Sequence, residues 1–450
     1  MTSLHDYQRQ ALTFALDAIQ GPARGCGLFL EPGLGKTLTS IALMDIAHRS
    51  DPTLRFLVVA PKLVALNSWP DELERWRDAH TLDWAVCVGS PARREAALDE
   101  RATVTIVNQD ALDWLDRRLP QWPWRALVVD ELGGFRNTGS RRTRILMRRR
   151  RRMDWCVGMT GTPAVKNLLD LYGEIAVIDG GRAFGASLTR FRERWFTPTR
   201  FVNRRPVEWT PKAGARAAIL DSIGSFCLSM RASDRLAGLP GQVTVDEWAG
   251  MPARTRAVYE RIRRDMAVEL DARTVTAANA GVLTAKLEQL TCGCLYPDVQ
   301  EPGPVERLDD AKLDLLDDVA ARTDGPLLVF YRFADELARL RARRPDLREI
   351  HEEDVVDDWN RGRVPMLAAH PAAAKFGLNL QKGGRDVVWT CLPWAYDDYR
   401  QANDRLHRQG QAGTVTVHRL LSEESVDRRK TLVLEGRMGL HEAVMGALKG

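Results

Sequence analysis

The sequence predicts an α/β protein: two lobes, each a parallel sheet flanked by helices, with helical insertions. Three observations carry this. Short aliphatic runs alternate with amphipathic stretches through the first half. Those runs end in polar or Gly/Pro breaks rather than in hairpin turns. The alternation then stops, gives way to helical periodicity, and resumes in the last third.

Taken in order, Leu28–Leu30, Phe56–Ala60, Val104–Val107, Ala126–Val129 and Trp155–Met159 read as the strands of the first sheet. Each is aliphatic on both faces, as a sheet covered on both sides requires. From about Gly181 to about Asp310 helical periodicity dominates, notably in Ala253–Leu270 and Ala278–Leu290, with a break at Leu239–Gly241. Leu327–Phe330, Val364–Ala368, Val387–Thr390 and Val415–Val417 then read as a second sheet. The expected division is a first lobe over 1–240, with a helical insertion about 181–240, and a second over 241–450, with a helical insertion about 252–310. There is no repeat at solenoid spacing.

Composition narrows the class without naming a function. Hydrophobic residues are 44% and charged residues 28%, ordinary for a globular chain able to bury a core. The net charge of +5 permits a polyanionic partner without demanding one. Seven cysteines in no framework spacing suggest reduced thiols and a cytoplasmic setting. Cys292 and Cys294 alone make a weak metal signal. The N-terminus carries Asp6 and lacks the apolar core of a secretory signal, and no apolar run approaches a membrane span. The run Arg148–Arg152 reads as a solvated helix end, with phosphate contact as the alternative.

Three stretches carry chemistry. Leu28–Thr37 reads L-F-L-E-P-G-L-G-K-T: a strand, a tight loop, then a helix start. Gly33 and Gly35 let backbone N–H groups approach phosphate oxygens, and the helix N-terminus adds its dipole. Lys36 can reach the β- and γ-phosphates of ATP, and the Thr37 hydroxyl can ligate Mg²⁺. The usual P-loop pattern would place Gly where Leu30 stands. Arg125–Glu131 reads R-A-L-V-V-D-E, an apolar strand delivering two carboxylates to its carboxyl end. Asp130 can hold Mg²⁺, and Glu131 can orient and deprotonate the attacking water. Gln401–Gln411 reads Q-A-N-D-R-L-H-R-Q-G-Q. On a helix, Arg405 and Arg408 would share a face and could stabilise charge on a transferring phosphoryl group; a polar surface helix fits the spacing equally well.

Together these stretches resemble superfamily 2 helicase-like ATPases, specifically the Swi/Snf branch of DNA translocases. Leu4–Gln8 (L-H-D-Y-Q) looks like that branch's adenine-reading motif, with Gln8 as reader. Val58–Lys62 (V-V-A-P-K) resembles a DNA-facing motif, and Met159–Pro163 (M-T-G-T-P) the coupling motif, with its threonines at Thr160 and Thr162. Leu327–Phe333 and Phe376–Leu380 (F-G-L-N-L) fit motifs of the second lobe, and Gln401–Gln411 the last one. Lys286–Tyr296 is similar to the helix that runs into the second lobe. Two departures stand out. Leu132 and Gly133 replace the usual Ala and His after the acidic pair, and Lys375 and Phe376 stand where Gly is frequent. Compact size and the stretch His370–Leu380 look most like bacteriophage-borne members.

The resemblance implies two RecA-like lobes of the P-loop NTPase type and an ATP hydrolase using Mg²⁺. It implies motion on double-stranded DNA, with single-stranded DNA as a second substrate. Catalysis would fall to Lys36, Glu131, Arg405 and Arg408. Nucleotide would be held by Gln8, Gly33, Gly35, Lys36, Thr37 and Asp130, with Mg²⁺ on Thr37 and Asp130. Nucleic acid would meet Lys62, Thr160, Thr162, Gly377 and Asn379. A monomer in the host bacterial cytoplasm, away from membranes, is expected. The rival within the superfamily is a strand-separating DNA or RNA helicase. The rival of another class is a nucleotide-switched scaffold that hydrolyses little.

Overall fold

The computed structural model describes residues 4–163, 167–202, 204–236, 238–272, 277–297, 303–376 and 378–449. The chain forms two compact units. One holds Met1–Ala237 together with Arg437–Gly450, and the other Gly238–Gly436.

The first unit is built on seven parallel strands: β1 (Gly25–Leu30), β2 (Phe56–Ala60), β3 (Trp84–Cys87), β4 (Val104–Asn108), β5 (Ala126–Asp130), β6 (Trp155–Met159) and, after a hairpin of β7 (Phe196–Val202) and β8 (Arg205–Pro211), β9 (Cys227–Met230). Their order across the sheet is β3-β4-β2-β5-β6-β1-β9. β1, β2, β4 and β6 are buried along their whole length. That is why they read as unbroken aliphatic runs instead of alternating ones. In register, Leu28 lies beside Met159, and Asp130 beside the same Met159 on the other side. The loops after β1, β5 and β6 therefore open at one edge, where parallel sheets of this kind bind ligands.

The second unit carries β10 (Gln242–Ala249), the short pair β11 (Cys294–Leu295) and β12 (Glu306–Arg307), then β13 (Leu327–Phe330), β14 (Arg348–Glu349), β15 (Met366–Ala369), β16 (Asp386–Trp389) and β17 (Val415–Ser422). Six of these form a second parallel sheet in the order β10-β17-β16-β13-β15-β14. Leu313, Leu316, Val329, Leu340, Val388 and Leu420 pack one face of it.

Two expectations need correction. The stretch from Gly181 is less helical than its periodicity suggests: it contains the antiparallel β7–β8 hairpin and two strands, β9 and β10, that join the parallel sheets. β9 is only four residues long and takes its strand character from pairing with β1. Short apolar runs of that length have no distinctive period. The helices Ala253–Ala272 and Ala277–Thr291 do form.

The arginine run is not a solvated helix end throughout. Arg150 is fully buried and donates to the carbonyls of Ile178, Met153 and Arg24. Arg149 binds Asp116 and the Pro120 and Leu119 carbonyls while its guanidinium lies over Trp122. Five donors in a rigid fork let Arg satisfy several carbonyls at once, which the sequence pattern does not reveal.

Candidate functional site

The loop after β1 is shaped by its glycines. Gly33 and Gly35 have φ of 86° and 70°, a region closed to most side chains. Gly35 caps the helix Lys36–Ser50, whose first N–H groups are left open for an anion. Leu30, where the usual pattern has Gly, is buried in β1, and its carbonyl accepts from Lys36 Nζ at 2.8 Å. Leu at this position thus fills core while its backbone anchors the lysine. Glu31 ties the loop to β9, its carboxylate accepting from the Ala232 N–H at 2.9 Å. Gln8, from the helix Asp6–Gln20, sits directly against Gly35: a Cβ there would run into the Gln8 amide. Gln8, expected as the adenine reader, thus lies against the phosphate loop.

β5 delivers the acidic pair to the same edge. Asp130 Oδ2 accepts from Trp69 Nε1 at 3.0 Å. Burial pushes the Asp130 carboxyl upward, while the Lys36 charge, the Trp69 hydrogen bond and the Glu131 N–H oppose it; the net shift is up. Glu131 has φ of 60°, costly for a residue with a Cβ and frequent where function fixes a side chain. Gln109 Nε2 supports this turn by donating to the Asp130 and Glu131 carbonyls, each at 3.2 Å. Gly134 lets Gln109 approach closely, since a Cβ there would meet the Gln109 side-chain oxygen and displace it. The Glu131 carboxylate accepts from the Thr160 hydroxyl at 2.9 Å, and Thr160 Oγ1 also accepts from the Thr162 N–H at 3.1 Å.

Thr160 and Thr162, expected among nucleic-acid contacts, are 0% and 3% exposed. Thr160 is thereby turned to the Glu131 carboxylate, and Thr162 meets Thr160 through its backbone N–H. Arg136 continues the chain of contacts, donating to Glu174 at 2.7 Å and to the Thr162 carbonyl. In place of the usual Ala-His, Leu132 is buried against Gly158, and Gly133 lies under the Arg136 guanidinium. Lys62 is exposed just beyond the carboxyl end of β2, and Thr37 is half-buried in the first helical turn.

In the second unit the helix ends at Asn403, before both arginines. Arg405 and Arg408 therefore lie on the turns that follow, and the shared helical face expected from their spacing does not exist. The motif is held by side chains: Asn403 accepts from Trp389 Nε1 at 2.9 Å, His407 meets the Pro240 carbonyl at 2.7 Å, and Gln411 donates to the Gly384 carbonyl at 2.9 Å. Arg405 is buried. Arg408 Nη1 donates to Asn379 Oδ1 at 2.8 Å, joining two residues that the sequence had assigned to different tasks. Burial lowers the Arg408 pKa against the opposing charge of Asp404. Gly377 lies outside the described residues.

A family model described as the SNF2-related domain matches residues 7–295, more than half of the chain. The chain belongs to the SNF2-related family. Putative protein p41 of Acyrthosiphon pisum secondary endosymbiont phage 1 is 29% identical over 435 residues, covering 93% of both chains. The putative ATP-dependent helicase/translocase YwqA of Bacillus subtilis is 22% identical over 98% of this chain, which spans 49% of YwqA. Among solved structures, the Sulfolobus solfataricus SWI2/SNF2 ATPase core in complex with dsDNA is 19% identical, with a TM-score of 0.47, covering 99% of this chain and 94% of that one. As an SNF2-related protein of compact, phage-like type, the chain is a helicase-superfamily ATPase of the translocase-like kind.

Trp69 and Gln109 complete the acidic edge of this SNF2-related protein, and motif reading missed both. Their partners are distant in sequence, so no spacing signal marks them; Arg136, by contrast, lies within the stretch Asp130–Asn137 that resembles the family's acidic motif and its extension. All seven cysteines are free and buried, and no cluster able to hold a metal ion through His, Cys, Asp or Glu occurs among the described residues. Among those residues no helix is long and apolar enough to cross a membrane.

Proposed function

We propose that this chain hydrolyses ATP with Mg²⁺ and uses the energy to move along double-stranded DNA. The observation that carries the reading is the convergence of Gly35, Lys36, Asp130 and a Thr160-held Glu131 on one sheet edge, with Gln8 packed on the phosphate loop.

The residues fit the nucleotide and its metal. Gly35 and the open helix N-terminus form a cradle for phosphate, and Lys36 supplies a cation beside it. The Thr37 hydroxyl and the Asp130 carboxylate are the hard oxygen donors that Mg²⁺ uses. When bound, the ion supplies charge neutralisation on the phosphoryl oxygens. Trp69 fixes one Asp130 oxygen, and Lys36 favours the ionised carboxylate despite its burial.

Glu131 acts as base toward the attacking water. The Thr160 hydroxyl limits its rotation, so the proton acceptor is oriented before substrate arrives. Thr160 and Thr162 serve nucleic-acid coupling through Glu131, and Arg136 on the Thr162 carbonyl extends that line. Arg405 and Arg408 are assigned the charge that develops on the transferring group, and Asn379, bonded to Arg408, links them to nucleic-acid contact. Lys62 and Gly377 remain proposed DNA contacts. The working unit is taken as one chain, acting in the bacterial cytoplasm.

ATP turnover without nucleic acid and with single-stranded DNA, duplex DNA and RNA tests the proposal. Duplex DNA should stimulate most; equal stimulation by RNA would turn the assignment to a general nucleic-acid ATPase. Glu131→Gln should retain ATP binding and lose turnover by about 10²–10⁴-fold.

A further inference from the structure

The β7–β8 hairpin stands apart from the rest of the first unit. It pairs with neither parallel sheet. Along β8 six of seven residues are exposed, and the seventh, Trp209, is half-buried. A two-stranded ribbon with no covering layer has little stability of its own. This one is anchored at its base, where Phe196 joins a cluster with Phe191, Tyr172 and Phe184. Beyond the base, Phe201 is 57% and Val207 49% exposed, a costly arrangement for apolar side chains with no covering layer.

Its charge is equally distinctive. Between Arg190 and Lys212 stand seven basic residues (Arg190, Arg192, Arg194, Arg200, Arg204, Arg205 and Lys212) and two acidic ones, Glu193 and Glu208. The segment's net charge therefore equals the +5 of the whole chain, and everything else balances. Arg194 lies over Trp195 and Arg192 over Trp209, an interleaving of guanidinium and indole suited to sugar-phosphate and base surfaces. Of the hairpin's own arginines, Arg200 is paired with Glu208 at 2.7 Å, while Arg204 and Arg205 are exposed at the turn.

The hairpin also closes a polar cavity of about 420 Å³. Its walls include Arg192, Trp209 and Thr210 on the hairpin side, and Arg136, Asn137 and Asn167 from the loops that follow β5 and β6. Arg192 Nε is buried there with no protein partner. Arg136 is the residue that holds the Thr162 carbonyl. The cavity thus connects the hairpin to the loops bearing Glu131 and Thr160.

We propose that the β7–β8 hairpin and the cavity at its base form a second grip on the DNA phosphate backbone, outside the motif residues. This rests on the duplex-DNA reading above. The contact is to phosphates, so it is independent of base sequence and sensitive to salt.

The test uses the full chain with Arg200, Arg204 and Arg205 changed together to Gln, and a matching variant with all three changed to Lys. The probe is a fluorescently labelled DNA duplex of mixed sequence, its affinity read by anisotropy across a salt series. The Gln variant should bind at least about tenfold more weakly, with the slope of log affinity against log salt reduced by roughly two to three. The Lys variant should stay within about threefold of wild type, because the charges remain. Turnover without DNA should be unchanged in both. If the Gln variant matches wild type in affinity and salt slope while DNA still stimulates wild type, the hairpin grip is refuted and the motor reading stands. If the Lys variant is as weak as the Gln variant, phosphate charge is not the cause and the proposal fails. If wild type neither binds duplex DNA nor is stimulated by it, the motor reading itself falls, and the grip with it.

Discussion

Two lysines show how differently the two parallel sheets use their carboxyl ends. Lys36, half-buried beyond β1, rests its ammonium on the Leu30 carbonyl and lies near Asp130. Lys430, fully buried, bonds Glu288 at 3.0 Å, the Leu392 carbonyl beyond β16 at 2.8 Å and Cys391 Sγ at 3.3 Å. Burial alone would lower the Lys430 pKa, but Cys391, Asp427 and Glu288 outweigh it, and the net shift is up. Lys312 repeats the pattern, with Asp427 at 2.7 Å and the Thr390 carbonyl at 2.9 Å. In one unit the lysine is left half-buried at a strand end beside a carboxylate; in the other, buried lysines hold loops in place. The same architecture serves both, because the sheet fixes only where loops emerge.

If that contrast is right, substitutions at the two edges should fail in different ways. The largest effect is expected in catalysis. Lys36→Ala should abolish turnover and weaken nucleotide binding while leaving thermal stability nearly unchanged. Arg408→Ala should leave ATP affinity nearly intact and cut kcat by roughly 10³-fold or more, as loss of a transition-state charge does. An unchanged kcat with a raised KM would make Arg408 a ground-state contact and remove the second unit from the chemistry.

Next in size is a stability effect in the second unit. Asp427→Asn leaves the buried Lys312 without its counter-charge and should cost about 3 kcal/mol. Denaturant melts would measure it. A loss under about 1 kcal/mol would mean that the pair is not a structural lock.

A smaller effect separates positioning from chemistry at the first edge. Thr160→Val removes the hydroxyl on Glu131 and should lower kcat on the order of tenfold with little change in KM. Thr160→Ser should restore most of the rate, whereas a purely structural role would leave Ser as poor as Val.

The smallest concerns the arginine run. Burial would raise the Asp116 carboxyl, but Arg148 and Arg149 hold it below its usual value. A depressed folded pKa gives stability that is present above the unfolded value, near 3.9, and lost as pH falls through the folded one. Asp116→Asn should therefore cost about 1 kcal/mol at neutral pH and progressively less below about pH 4. A cost that did not shrink on acidification would point to packing instead of charge.

Much of the protein was legible before its structure. β2, β6 and β13 have the bounds that their aliphatic runs mark, because strands buried on both faces need continuous hydrophobicity. The phosphate loop and acidic pair were legible because each is a local grammar of strand, turn and charged residue. The hairpin, β9 and β10 were not, since their strand character comes from pairing partners or from exposure rather than from a buried period.

The sequence by itself determined the family, the two sheets and which residues carry charge to the first sheet edge. Only the tertiary structure decided what those charges touch. Trp69 reaches Asp130, Gln109 braces the Glu131 turn, Arg150 vanishes into three carbonyls, and Arg408 meets Asn379. These contacts join residues from separate elements. Their geometry depends on how strands order themselves across a sheet, which local propensity does not encode.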